Sequence, residues 1–572
     1  MGTNGYLAAQ SNDSSRVLLH FKFESPLPNI KIKKLQLPSK KIPLFRVDLE
    51  VERLMNSLYS YGYISAKARI VSSDSNEIWY SINAGPQYSW KELLPGNVDE
   101  GVLSKIGFRD KIYRDRPMSY SDIRKMFRKL IIYYENHGHP FASINLDSVS
   151  ISNEEIRAVL HLEKNRLTRI DTIKVVGDGK VSQRYISNYI SIKQGDEYNE
   201  RLVNEISTRL SELAFVSEYR RPEVEFETEK TALTIYMNHK KANNFNGIIG
   251  VLPDENTGDL LITGDIKLNL KNALGTGEEI DLNWKKLQTQ TQDLQTRVQI
   301  PFLFNLPLGG DAALSIYRKD TTFTNIVINL GIQFILRGGD YVKVFIENDQ
   351  NNLISTYGLD VIRTLPEYAD IRTNSYGVGT KVTKLDYRLN PRKGFFTEGN
   401  VSFGVKEIRQ NARVNPIVYD SLNLRTNRYK GKVDMGYYIP ISKRQTVLLG
   451  FKGGMLVNEN LFRNELFRIG GLKTFRGFDE ESIFVSSFSI GTLEYRFLLE
   501  KNSYFSLFYD QGWYENQAAP QLITDTPFGF GTGITFDTKI GIFSLSYALG
   551  KQFNNPIQIR SAKIHFGFVN YF

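Results

Sequence analysis

The pattern of hydrophobic and polar positions changes period near residue 240. Before it, stretches with apolar residues three and four apart alternate with short runs of period two; beyond it, period two holds to the end of the chain. Within the first 240 residues a single design recurs three times: an amphipathic helix, a turn with a glycine or small residue, a strand, a short turn and a second strand. Helices are expected at 51–61, 123–136 and 202–213. The strand pairs that follow are expected at 62–70 and 77–82, at 138–144 and 156–162, and at 214–219 and 232–237. The second helix shows the logic: Ile123, Met126, Phe127, Leu130 and Ile131 repeat at three and four and line one face. The turns recur roughly every 76 residues, a spacing that suits one small α+β domain per unit. A strand leads into the units, as in 17–21 and 172–176, so the predicted order is β-α-α-β-β, three times.

From about Asn243 to Phe572 we expect about sixteen strands separated by turn signals. Examples are 265–270 and 279–284, joined through Leu274-Gly275-Thr276-Gly277, then 341–346, 396–405, 431–439 and 446–452. About twenty residues per strand and loop fits membrane-crossing strands of about 9–11 residues. Such strands put polar residues into a wet lumen and apolar ones into lipid. A soluble sandwich or propeller would also alternate, but a propeller should repeat its blades, and no blade repeat is visible.

Composition sharpens this reading. The 572 residues exceed one compact domain. With a mean hydropathy of −0.31 and no run near 18 apolar residues, a membrane protein of this composition must be a barrel, because only helices and closed barrels satisfy their backbones in lipid. The 31 Tyr and 35 Phe suit the aromatic girdles of barrel rims. There is no cysteine, which excludes thiolate chemistry and disulfides. The net charge of +10 is spread among acidic residues, giving little support to nucleic-acid binding. The densest basic patch, Lys31-Ile32-Lys33-Lys34 with Lys40-Lys41, reads as a solvated face. Residues 1–15 are polar and expected to be disordered. No signal peptide is recognisable, and a processed or recombinant start is expected, with Leu7-Ala8-Ala9-Gln10 as a remnant. No metal-ligand cluster, nucleotide loop or catalytic triad is apparent, so no cofactor and no enzymatic activity are expected.

One loop stands out. Gly470-Gly471-Leu472-Lys473-Thr474-Phe475-Arg476-Gly477-Phe478 lies between long alternating strands, and Phe508-Tyr509-Asp510-Gln511-Gly512 follows. Alternation puts Leu493, Tyr495 and Phe497 on the lipid face and Glu494 and Arg496 in the lumen; by the same count Asp510 points inward. An arginine brought into the lumen would meet two carboxylates on adjacent strands. This set resembles the outer-membrane β-barrel assembly superfamily of the BamA/TamA type, whose long sixth surface loop carries an arginine that folds back into the barrel. The three N-terminal repeats independently resemble its POTRA domains. The resemblance covers nearly the whole chain and is strongest to the TamA type, with three POTRA domains at 16–85, 86–165 and 166–241 before a sixteen-stranded antiparallel transmembrane β-barrel at 242–572. It implies a loop latch formed by Arg476, Gly477, Phe478, Glu494 and Asp510.

The two barrel ends read as poor pairing partners. The first strand, around Gly247, Ile248 and Gly250, is expected to be short and to end near Pro253. The last carries Gly567 in mid-strand, Phe568 on the outward face with Ile564 and Phe566, and closes on Phe572. The terminal Phe resembles the C-terminal signal of outer-membrane proteins, although Asn570 falls where that pattern has an apolar residue. A weak seam is what a lateral gate between first and last strands needs; equally, any barrel has a weakest seam, and glycines can merely shape it. The resemblance implies an outer-membrane location with POTRA domains in the periplasm. The partners it implies are nascent outer-membrane or secreted proteins, outer-membrane lipid, and an accessory subunit of the periplasm or inner membrane, with no nucleic acid. The implied function is insertion of client strands through the gate. The alternative is a two-partner-secretion-type transporter exporting one client through the pore.

Overall fold

The computed structural model describes residues 16–27, 35, 41–253, 260–288, 290–336, 339–364, 366–387, 390–538 and 541–571. The expectations for residues 1–15, for the basic patch up to Lys40 and for Phe572 lie outside these. Two compact units divide the chain: Met1–Thr172 with Gln194–Asn204 and Val224–Ala232, and Ile173–Lys193 with Glu205–Glu223 and Leu233–Phe572.

Each N-terminal repeat is a small sheet covered by helix. In the first, Arg16–Phe23 runs parallel to Glu77–Asn83, with Ile42–Pro43 and Lys67–Ser73 at the edges. Its helix Val47–Ser60 buries Val47, Leu54 and Leu58, a seven-and-four spacing that keeps one face on the sheet. In the second, Ser89–Leu94 lies parallel to Glu155–Glu163, flanked by Arg116–Pro117 and Ser143–Ser152. The helix Tyr120–Glu135 starts where the Ser119 hydroxyl accepts the Asp122 N–H, and it buries Ile123, Met126, Leu130 and Tyr134. The third sheet orders Val216–Phe226, Thr231–His239 and Thr172–Val176 under the helices Gln183–Ile190 and Glu200–Glu212.

Two strand starts differ from expectation. The strand expected from Gly62 begins at Lys67, because Gly62 adopts φ +92° beside the Tyr88 carbonyl and opens a turn. The strand expected from Gly138 begins at Ser143: Gly138 has φ +82°, and Pro140 has no N–H to give a ladder. The first repeat shows one α-helix among the described residues.

From Asn244 onward the chain forms sixteen antiparallel strands closed into a barrel. They are β1 (Asn244–Pro253), β2 (Leu260–Lys271), β3 (Glu279–Gln288), β4 (Thr291–Ile300), β5 (Leu308–Lys319), β6 (Phe323–Ile335), β7 (Tyr341–Leu353) and β8 (Ile371–Leu385). Then follow β9 (Gly394–Ile408), β10 (Arg425–Ser442), β11 (Gln445–Val457), β12 (Ser487–Leu498), β13 (Tyr504–Asn516), β14 (Phe528–Thr538), β15 (Gly541–Lys551) and β16 (Lys563–Tyr571). Alternation decides the faces. On β6, Ile328, Leu330, Ile332 and Phe334 are exposed outward, while Asn329 and Gln333 reach partners inside. Among the described residues no helix is long and apolar enough to cross a membrane, which leaves crossing by strands open. At the N-terminal rim the turn between β2 and β3 sits against the third repeat: a Cβ on Gly277 would lie 1.9 Å from the Tyr185 ring.

Candidate functional site

The chain between β11 and β12 is the sixth of the connections that leave an odd-numbered strand and enter an even-numbered one, all on one rim of the barrel. It turns back inward on a two-stranded ribbon, Phe467–Ile469 against Ile483–Val485. The ribbon carries a tight turn. Gly470 takes φ +118° beside the Asp479 carbonyl, and the Thr474 hydroxyl donates to the Gly470 carbonyl at 2.6 Å. Phe475 is fully buried and packs against Phe478 in a tilted pair at 4.6 Å, within a cluster that includes Phe488, Ile490 and Tyr514 of the barrel wall.

Between those two phenylalanines Arg476 points at the wall. Its Nε and Nη2 each donate to Asp510, at 2.7 Å to Oδ2 and Oδ1, a bidentate fork. Its Nη1 donates to Glu494 Oε2, and the guanidinium lies 3.7 Å over the Phe508 ring. Thr492 donates to Asp510 at 2.8 Å, and Arg496 donates to Glu494 Oε1 at 2.7 Å. Two cations and two carboxylates therefore balance in a largely desolvated cluster, with each carboxylate held from two sides. The structure brings Arg476, Glu494 and Asp510 together. Arg496, expected in the lumen but not in the latch, completes the charge balance.

Gly477 and Phe478 form the turn that lays the loop flat on the wall. Gly477 has φ +91°, and a Cβ there would stand 2.7 Å from the Leu549 carbonyl. The wall reciprocates with missing side chains. A Cβ on Gly529 would lie 2.0 Å from the Arg476 carbonyl, and one on Gly550 2.6 Å from that of Gly477. Gly512 leaves room for the Phe475 ring. This glycine floor on β13, β14 and β15 was not anticipated; the signal was there in the unusual density of glycine at inward positions of adjacent strands.

A second ion network, also unanticipated, holds the root of the loop. Lys406 of β9 meets Glu465, and Arg428 of β10 meets Asp349 of β7 at 2.9 Å. Lys406 also donates to Asn458 at 3.1 Å, while the Phe462 N–H donates to Glu465 at 2.8 Å. Above it, Ala369, Ile371, Ile408, Val414, Val418 and Phe462 form an apolar cluster from the fourth, fifth and sixth connections, with Tyr419.

Among the described residues the seam closes on two register pairs, Asn244↔Tyr571 and Phe245↔Asn570. The expectation of a short first strand is corrected: β1 spans 10 residues and pairs with β2 along its whole length, Ile248 with Asp265 and Gly250 with Thr263. Weakness lies only on the β16 side. The Phe245 ring covers Gly247, Phe568 packs against Phe543 in a tilted pair at 4.6 Å, and Gly567 leaves its inner face to Leu472 of the loop at van der Waals distance. The side chains of Ile248 and Gly250 lie outside the description, as does Phe572. Among the described residues no group of three or more His, Asp or Glu side chains is arranged to hold a metal.

Residues 272–572 match the model of the Omp85 superfamily domain. The chain belongs to the Omp85 superfamily. Its fold is that of solved structures of Omp85-type barrels. CdiB from Escherichia coli aligns at a TM-score of 0.56 and 12% identity, covering 91% of this chain and 96% of that one. CdiB from Acinetobacter baumannii aligns at 0.55 and 14%, covering 85% and 90%. BamA from Haemophilus ducreyi lacking POTRA domains 1–3 aligns at 0.44 and 14%, covering 85% and 100%. No curated protein matches. As an Omp85 barrel with a POTRA-like N-terminal region, the chain is similar to outer-membrane proteins of that superfamily.

Proposed function

We propose that this Omp85 protein is an outer-membrane insertion factor of the TamA type, with three periplasmic POTRA domains and a lateral gate between β1 and β16. The observation that carries it is the seam. β1 is fully paired with β2 but offers β16 two register pairs, whereas β8 is paired with β9 along all of Ile371–Leu385. An N–H and C=O edge held so lightly opens at little cost and can template an incoming strand. The N-terminal sheets add similar edges: Lys67–Ser73 and Ser143–Ser152 are edge strands with Ile70, Val71, Val149 and Ile151 exposed. Clients would be captured there as added strands and passed to the gate, with their own folding as the energy source. An accessory subunit on the periplasmic side would assist delivery. The latch of Arg476, Glu494 and Asp510 would hold the loop against the wall next to the gate. The apolar cluster over the loop root argues against a route through the far mouth.

The test is photo-crosslinking in living cells from position 248 on the gate strand, with mass spectrometry of the trapped species. Several different outer-membrane barrels among the adducts are expected. A single large secreted protein would overturn insertion and establish a dedicated exporter of the two-partner-secretion type; lipid alone would overturn both.

A further inference from the structure

Among the described residues of the lumen wall most cations form an ion pair with a carboxylate, and two that line its central chamber do not. Inward positions of β10 run Arg428, Lys430, Lys432 and Asp434. Arg428 meets Asp349, and Lys430 meets Glu347 at 3.2 Å, both on β7. One step further along β7 the acidic ladder ends in Phe345, whose ring fills the space left by Gly377 on β8. Lys432, the third rung, therefore has no acid opposite it on β7, and Glu398 of β9, whose charge reaches it, is held by Lys381 at 3.5 Å. Its strand neighbour Asp434 is engaged by Lys452 at 3.2 Å. Lys473, on the turn of the loop, also forms no ion pair among the described residues: the charges of Asp265 and Glu480 reach it, but so do those of Lys267 and Lys285; its carbonyl accepts from Lys452 at 2.8 Å.

Both lysines line one cavity of about 730 Å³ inside the barrel. Seven of the ionised side chains lining it are cationic and five anionic, and the excess corresponds to Lys432 and Lys473. A low-dielectric wall focuses such a field into the chamber. Lysine on a flexible stem acts as a point charge for phosphate. The geometry points to an anion site in this chamber, where Lys432 and Lys473 take a phosphate group. That group is carried either by a free phosphate compound or by the headgroup of an anionic lipid. The site does not depend on the insertion reading.

The test uses the full chain. Calorimetric titration with inorganic pyrophosphate in zwitterionic detergent reads the free anion. Native mass spectrometry after extraction from phosphatidylglycerol nanodiscs reads retained lipid. Saturable pyrophosphate binding weakened at least tenfold in Lys432→Gln/Lys473→Gln, and unchanged in Lys125→Gln on the second repeat, establishes a free-anion site. Phosphatidylglycerol retained by the wild type and lost from the double variant, with no pyrophosphate binding, assigns the headgroup instead. Binding and retention that are equal in wild type and variant, or absent from both, overturn the site. Should the double variant fail to fold, as judged by gel migration of unheated samples, Lys473→Gln alone on its exposed turn replaces it; an unchanged affinity there also overturns the proposal.

Discussion

Two ion networks grip the same loop, one at its root and one at its tip, in different surroundings. At the root, the Lys406 and Glu465 side chains are both 0% exposed, and an apolar cluster seals them from above. At the tip, Arg476 keeps 13% of its side chain accessible and lines the polar chamber. A sealed pair has to recover the full desolvation cost of both ions and is replaceable by apolar residues of similar volume; a pair at a wet boundary can separate and re-form. The contrast teaches that charge in this lumen sits in two settings: the root network is sealed where the loop enters, and the tip network meets the polar chamber where the loop lies on the wall.

The largest effect expected is at the root. Glu465→Ala leaves Lys406 buried beside Arg428 with one carboxylate between them, and should cost about 3–5 kcal/mol, read as a lowered urea midpoint of the full chain. The double change Lys406→Met/Glu465→Leu should restore stability to near the wild-type value and leave the proposed insertion of clients intact. Loss of insertion in that folded double variant would break the comparison, because the root would then be more than a fixture.

The tip should respond in the opposite way. Arg476→Leu leaves Glu494 paired with Arg496 and lets Asp510 hydrate from the chamber, so the loss is expected near 1–3 kcal/mol. The proposed insertion should nevertheless fall steeply, and trypsin should cut at Lys473 faster than in the wild type. A variant that stays uncut and active would remove the latch from the mechanism.

Gly529→Ala and Gly550→Ala probe the floor without touching a charge. Each puts a Cβ within 2.0–2.6 Å of a loop carbonyl, and overpacking of this kind costs about 1–3 kcal/mol. The turn should lift, giving the trypsin site of the Arg476→Leu variant with its ion network chemically complete. The same change at Gly491, where the nearest atom is 4.0 Å away, should leave the loop down.

How much of this could be read from the chain follows from periodicity. Period two is local, so the faces of Glu494, Arg496 and Asp510 were legible, as were the helix faces of Ile123, Met126 and Leu130. The Arg476 contact could be anticipated because the loop motif and its acids resemble a family pattern. The root network could not: Glu465 lies in an aperiodic connection, and nothing in its neighbours points to Lys406, 59 residues away. The glycine floor lies on three neighbouring strands and its glycines were visible in the sequence, but the aperiodic loop that rests on them gave no sign that it would turn back to that wall. The seam was read from glycines on both edges. Its weakness instead comes from register, which depends on how the whole barrel closes: Gly247 and Gly250 sit in a strand paired throughout with β2.

The smallest effect expected lies away from the barrel, in the compact unit that holds the second repeat, and tests whether charge there obeys the same rule of sealing. Glu135 ends one helix and Glu200 begins another, and hydrogen bonds bring the two segments together: Asn199 donates to the Asn136 carbonyl at 2.9 Å, and the Arg201 N–H donates to Asn136 Oδ1 at 2.8 Å. Burial, and then the neighbouring Glu200 carboxylate, push the Glu135 carboxyl above its ordinary 4.5. A carboxyl raised in the folded state binds its proton more tightly there than in the unfolded chain. Its stabilising contribution is therefore complete below 4.5 and is lost as pH rises through the raised value. The protection factor of the Arg201 N–H, which removes the intrinsic pH dependence of exchange, should thus rise on acidification through that window, and Glu135→Gln should abolish the trend while leaving protection at low pH unchanged. A trend that survives in Glu135→Gln would assign it to another group in the joint and leave Glu135 as a solvated helix end, unlike the sealed carboxylate of Glu465.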